Sequence, residues 1–334
     1  MTRPLLRMNP RPRLPALALA ACLLAPALAA AQPSTADGAP ALKARTCSVE
    51  GLMDSIRRGL HSNSEAYKTY LRTLLRESAV KLPLAELQAA FEREQDPALV
   101  EHLAAALVAR TERGLEPAAM QAVAKRALDD PNPGLRAATV RALRRTGALE
   151  HTGDLYQRLV RDASPEVRME AATNLVEDNL HVYGGHDGPA ADSAVAAAAT
   201  SSDPKVTAHI LGQLMTGEIS TGSAHKIEQL LHNDSVEVRA AASAALGGVP
   251  AAEAPSARAS LVSLYYDESD PTVRKSILQS IARLGYASAV PELQRLRSVD
   301  PSLGSEIDSW IQILNKNPQD WGLILREKQK QQAR

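Results

Sequence analysis

The chain has 334 residues with 38 basic and 38 acidic side chains, so its formal charge at neutral pH is zero. That balance argues against a strongly basic nucleic-acid binder and an acidic solvating tail, while the length suits two ordinary domains or one elongated array. One Phe, two Trp and seven Tyr are too few for a typical β-sandwich or base-stacking surface, and two cysteines make no disulfide scaffold.

Residues 1–31 read as an export signal. Arg3, Arg7, Arg11 and Arg13 make a basic start, and an uncharged Leu/Ala-rich run extends from Leu14 to Ala31. Small residues at Ala29 and Ala31 suit signal peptidase cleavage before Gln32. An uncleaved anchor is the alternative, weakened by Pro15, Pro26 and the alanine content. Leu19-Ala20-Ala21-Cys22 also has the form of a lipobox, against which the apolar run continues through Leu28. The expected location is therefore the periplasm or the exterior, with membrane attachment only through lipidated Cys22 or an uncleaved segment. Cleavage removes four basic residues and no acidic one, leaving 34 against 38, a net charge of −4. Cys47 is then the one remaining thiol, and no nearby His–Asp arrangement activates it. Residues 32–44, rich in Pro, Ala and small polar side chains, read as a flexible linker, and 45–95 as N-terminal capping helices.

From residue 96 to 314 one phrase recurs: a turn residue, usually Pro, any residue, then Val or Leu. Examples are Asp96-Pro97-Ala98-Leu99, Ser164-Pro165-Glu166-Val167 and Asp270-Pro271-Thr272-Val273. Asp, Asn or Ser at the N-cap accepts from an otherwise unpaired N–H, and Pro at the first helical position needs no donor. The anchors are Tyr67, Leu99, Leu135, Val167, Val206, Val238, Val273 and Leu303, a mean spacing near 34 residues. Four and eight positions after most anchors stand further apolar or small residues, such as Val273, Ile277 and Ile281, on one helical stripe. Shorter apolar segments between the stripes, such as Met120 to Leu128 and Leu261 to Tyr266, supply a second helix per unit. Two such helices cannot bury their faces alone but share a continuous core when stacked. The tail, 315–334, reads as a cap carrying Trp321 followed by a polar run that frays.

The phrases Ser164 through Ala172, Ser235 through Leu246 and Asp270 through Arg274 resemble HEAT repeats, of the short type also found in phycobilin lyases. The resemblance covers about residues 64 to 314. It implies an all-α, right-handed α-solenoid of about eight HEAT-like helix pairs. It also implies that Arg136, Arg168, Arg239 and Arg274, each directly after an anchor, form a structural ladder with turn acids of neighbouring repeats. The turns offer Asp129, Asp162, Asp203, Asp234 and Asp270, while Val100 and Thr207 interrupt the series.

An enzymatic HEAT relative, deoxyhypusine hydroxylase, binds two irons through His-Glu pairs on its repeat helices. The matching positions here include Met169-Glu170 and Ala208-His209, and no His-Glu pair occurs in the chain. The eight histidines form no HExxH motif or His/Cys cluster, and no P-loop or GxSxG motif is present. No metal and no cofactor is expected. The longest interval between anchors contains His181, Tyr183, His186 and Asp187, an enlarged loop that reads as an indel or a contact with a metal or partner.

In HEAT-like stacks the second helices line the concave surface. Projection at 100° per residue places Arg141, Arg144, Met169, Thr173, Val176, Met215, Lys275 and Gln279 on that face. The projected face is small-sided in the middle, basic toward both ends and free of acid, which suits a protein or peptide partner with some negative charge. The expected role is an exported, non-catalytic scaffold. The alternative is an enzyme-accessory or lyase-like protein whose groove cradles a small molecule or modified polypeptide. The sequence leaves oligomeric state and partner identity open.

Overall fold

A computed structural model describes residues 49–60, 62, 64–78, 81–112, 117–144, 149–186 and 188–332. The signal, the linker, Cys22, Cys47 and Asp187 lie outside the described residues. The first helices are α1 (Val49–Leu60), α2 (Glu65–Ser78), α3 (Leu84–Arg93), α4 (Pro97–Glu112), α5 (Pro117–Asp129), α6 (Pro133–Arg141), α7 (Leu149–Leu159) and α8 (Pro165–Glu177). There follow α9 (Gly188–Thr200), α10 (Pro204–Gln213), α11 (Thr221–Leu230), α12 (Val236–Leu246), α13 (Ala254–Asp267), α14 (Pro271–Gly285), α15 (Val290–Val299), α16 (Gly304–Leu314) and α17 (Trp321–Gln332). Each odd helix from α1 to α15 packs on the even helix that follows it. Even helices stack on even from α2 to α16, and odd on odd from α1 to α13. The result is an all-α solenoid with two rows of helices.

The stripes are its core. Every stripe residue from Leu99 to Ile307 is buried, including Leu135, Val167, Val206, Val238 and Val273. Thr139, the polar member of one stripe, donates to the carbonyl of Leu135 at 2.8 Å and so leaves no unmet hydroxyl. Tyr67 differs from the expectation for an anchor: it is 44% exposed, and Leu71 and Leu75 carry the burial on α2.

The turns explain why the phrase starts each second helix. Asn132, Asp203, Asp270 and Asp300 accept at 2.7–3.0 Å from the N–H two residues on. Ser164 makes no cap bond itself. Asp162 instead accepts from the Ser164 N–H at 2.7 Å. Glu94, Asp130, Ser201, Asn233 and Glu268 occupy the same place two residues before their caps. Around Asp96, Asn132, Asp203, Ser235 and Asp270 the turn is thus braced twice, once before the cap and once at the start of the next helix.

A ladder of arginines ties successive turns together. Arg136 pairs with Asp162 at 2.7 Å, Arg168 with Asp203 at 2.6 Å, Arg239 with Glu268 at 2.6 Å and Arg274 with Asp300 at 3.1 Å. Another guanidinium nitrogen of each donates to a carbonyl of its own turn, at Asp130, Asp162, Asn233 and Glu268 respectively. The acid meeting Arg239 is Glu268, two residues before the cap, rather than Asp270, just as Asp162 rather than Ser164 meets Arg136. After Thr207 the following turn carries neutral Asn233 and Ser235 at the equivalent places. After Val100, Asp130 is met instead by Arg126 of α5 at 2.9 Å.

These pairs set the acidity of the turn carboxyls. Arg168 and Arg239 hold Asp203 and Glu268 below the usual carboxylate range, against the opposing effect of burial. At Asp162 burial is the largest influence and pushes upward, but Arg136 and the Ser164 N–H outweigh it. Asp300 behaves likewise, with Ser302, Tyr265, the Leu303 N–H and Arg274 outweighing burial.

At the C-terminus the polar run expected to fray is helix α17, docked on α16. Trp310 stacks on Trp321 with ring centroids 5.9 Å apart, and Lys328 is buried between the Trp310 ring at 4.6 Å and Glu306 at 2.9 Å. The aliphatic stem of a lysine can cover apolar surface while its ammonium keeps a partner, which is why a run rich in Lys and Gln can still cap a core.

Candidate functional site

The exposed face of the even row differs along its length. Over α4, α6 and α8 long charged side chains cross from helix to helix. Arg141 meets Glu101 at 3.2 Å, Glu170 at 2.9 Å and Glu166 at 3.6 Å, and Arg144 meets Glu170 at 2.6 Å. The expectation of a face without acid is therefore corrected. Glu170 stands three places after its anchor, and the projection had considered only positions two, six and nine.

Beneath this lattice lies a buried polar seam. Arg144 Nε donates to Asn174 Oδ1 at 3.1 Å, and the Asn174 amide donates to the Val140 carbonyl at 2.5 Å and to Tyr156 Oη at 3.2 Å. Asn174, Tyr156, Asp178 and Asn179 are all fully buried. Burial, with the nearby Asp178 carboxylate, pushes the Tyr156 phenol far up, so it stays protonated. Asparagines among apolar helical residues are the sequence signal for this seam, which belongs to no catalytic motif.

Over α10, α12 and α14 the corresponding positions carry Ala208, Gly212, Ala240, Ala244, Lys275 and Gln279. Gly212, Lys275 and Gln279 are exposed, and the three alanines are half-buried. A Cβ added at Gly212 would meet nothing within 4 Å. Where α8, α10 and α12 meet, a recess of about 850 Å³ is lined by half-buried Arg168, Met169, Asp203, Ala208, His209 and Ser235 and by exposed Pro165, Pro204, Lys205 and Glu237. His209 lies 3.4 Å from Thr173 Oγ1 and 3.1 Å from Gln213 Nε2, and burial lowers its pKa, favouring the neutral ring.

The projected face is thus only partly assembled. Met169 and Thr173 are half-buried at the recess, and Lys275 and Gln279 stand free on α14. Arg141 and Arg144 are occupied by ion pairs. Val176 is a correction: at 2% exposure it packs inside and cannot meet a partner. A solenoid helix is covered by its pair and by a neighbour on each side, and at Val176 this cover closes over the side chain. Met215 is not on α10 but in the segment after it, 45% exposed and seated on Gly185.

In the enlarged loop a π-helical turn (Asp178–Val182) continues α8, closed by the Tyr183 N–H on the Asp178 carbonyl at 3.1 Å. His181 lies 3.6 Å from Glu177 and His186 3.8 Å from Glu218, while Tyr183 packs half-buried on the core. These pairs are separate, and among the described residues no group of three or more His, Cys, Asp or Glu could hold a metal. Nor, among the described residues, is any helix long and apolar enough to cross a membrane.

Residues 223–304, from α11 to the start of α16, match the family model for HEAT repeats. That stretch of the chain therefore carries HEAT repeats. No curated protein sequence matches the chain. Among solved structures, it is similar to YibA of Escherichia coli at 15% identity, covering 84% of this chain and 99% of that one, with a TM-score of 0.40. Human deoxyhypusine hydroxylase, solved in complex with glycerol, is similar at 16% identity over 79% of this chain and 96% of its own, with a TM-score of 0.28. An engineered protein is similar at 16% identity with the same coverages for the alignment on both sides, 79% and 96%, and a TM-score of 0.29.

Proposed function

We propose that this HEAT-repeat chain is an exported scaffold that performs no catalysis itself and holds a protein or peptide on the concave face of the solenoid. The observation that supports this reading is the recess between α8, α10 and α12. Half-buried Met169 and Ala208 give it a small apolar floor beside the paired Arg168 and Asp203, and exposed Lys205 and Glu237 give its rim both signs of charge. An extended chain can lay an apolar side chain on such a floor and pair its own charges along the rim.

The test is site-specific photo-crosslinking in the cell of origin. A photoreactive residue at Ala208 should trap a polypeptide, one at exposed Lys226 on the opposite row should not, and Met169→Glu should abolish the adduct. Equal adducts from both positions would remove the recess from the proposal. Its volume also falls in the range of small-molecule sites. Native mass spectrometry separates that second reading, which expects a small molecule retained by the purified protein. Export has its own measurement: the recovered protein should begin at Gln32, whereas a start at lipidated Cys22 would place it on a membrane.

A further inference from the structure

The joint between the enlarged loop and the segment after α10 has a chemistry of its own. We propose that Met215 is an oxidation-sensitive residue whose conversion to the sulfoxide releases the turn at residues 183–186 from the body of the solenoid. This stands independently of polypeptide binding at the recess.

Accessibility comes first. Met53 and Met120 are buried at 6% and 8%, Met169 is half-buried, and Met215 is 45% exposed. Among the described residues, an oxidant in solution therefore reaches Met215 before Met53, Met120 and Met169. The contact comes second. Gly185 has φ +72°, and a Cβ built there would lie 2.5 Å from Met215 Sδ and 2.8 Å from Cε. The thioether rests directly on the glycine backbone, in space that no side chain at 185 could share. Connectivity comes third. The Met215 N–H donates to Asn179 Oδ1 at 3.1 Å, and the Gly185 N–H donates to the Asn179 carbonyl at 2.8 Å. One buried asparagine thus ties both sides of the joint, and its own amide nitrogen has no partner among the described residues.

Oxidation changes what that seat requires. A sulfur lone pair attacks one oxygen of a peroxide, the O–O bond breaks, and the products are the sulfoxide and water: sulfur is oxidised and peroxide reduced. The new S–O dipole is a strong acceptor that demands water or a donor. The side of the sulfur facing Gly185 has no room for another heavy atom. The side chain has to leave that seat for its oxygen to reach water or the unpartnered Asn179 amide. The turn then loses its apolar seat and keeps the Gly185 N–H bond to the Asn179 carbonyl and two left-handed glycines, Gly184 and Gly185, whose backbone is free to rearrange.

The experiment uses the full chain treated with hydrogen peroxide. Peptide mapping should find the sulfoxide at Met215 before Met169, and amide exchange at 183–186 should then rise by about tenfold or more. Met215→Leu keeps the volume without the oxidisable sulfur, and its turn should not respond to peroxide. Gly185→Ala should open the turn without peroxide. Oxidation of Met169 at the same rate, unchanged exchange in protein carrying Met215 sulfoxide, or an equal response in Met215→Leu would each overturn the proposal.

Discussion

The two halves of the even row meet the same need by different means. Over α4, α6 and α8 the helices are bridged by Arg141 and Arg144 reaching Glu101 and Glu170, with Asn174 below. Over α10, α12 and α14 they are joined by close approach. A Cβ added at Gly247 would lie 2.6 Å from Ser280 Oγ, and one at Gly248 2.6 Å from Thr216 Oγ1. Ser276 Oγ reaches the Ala240 carbonyl at 2.8 Å. Long charged side chains close a face, whereas small ones let backbones pack and leave the face open. The recess lies where the first style gives way to the second, and that is the physical reason for placing a partner there.

The arginine ladder is common to both halves, so breaking it should erase the contrast. Arg136→Ala and Arg239→Ala should each cost about 3 kcal/mol in urea unfolding, because each strands a nearly buried carboxylate. A loss in one half alone would mean that the ladder is not the shared element. The same pairs predict acid sensitivity. The Glu268 carboxyl titrates lower in the folded chain than in the unfolded one, so its stabilisation is present above the ordinary carboxylate range. It is lost as pH falls through the folded-state value, and Arg239→Ala should remove this part of the pH dependence.

A smaller effect separates the halves. Glu170→Ala should destabilise by about 1 kcal/mol, since Arg141 keeps Glu101 and Arg144 keeps Asn174, and added salt should shrink the loss. A salt-independent loss would point to packing instead of charge. The smallest effect has the opposite sign. Gly212→Ala should raise stability by up to about 1 kcal/mol, because helix propensity improves and the new methyl meets nothing. A drop in thermal midpoint would show that the open floor over α10 is already filled.

Much of this architecture was legible in the residues. Cap, proline and anchor mark the start of each second helix, and the stripe at steps of four is the buried core. The arginines after four of the anchors carry the sequence signal of the ladder, and the acids they meet include Glu268 and Asp300, which the turn pattern does not single out. Only the turn geometry shows that Glu268, not Asp270, stands within reach of Arg239. Val176 and Met215 were assigned to one face by a projection that treats a helix as isolated.

What the sequence by itself determined is therefore everything governed by local chemistry: helix starts, the period, the apolar stripe and the class of fold. The tertiary structure decided which sectors of each helix stay open, because neighbours on three sides cover the rest. It also decided which opposite charges meet, because Glu101, Arg141 and Glu170 are distant in the chain and adjacent only when α4, α6 and α8 stack. Formal neutrality, a bulk property of the composition, thus becomes in the folded protein a local pattern of paired charge over one half of a face and open small-residue surface over the other.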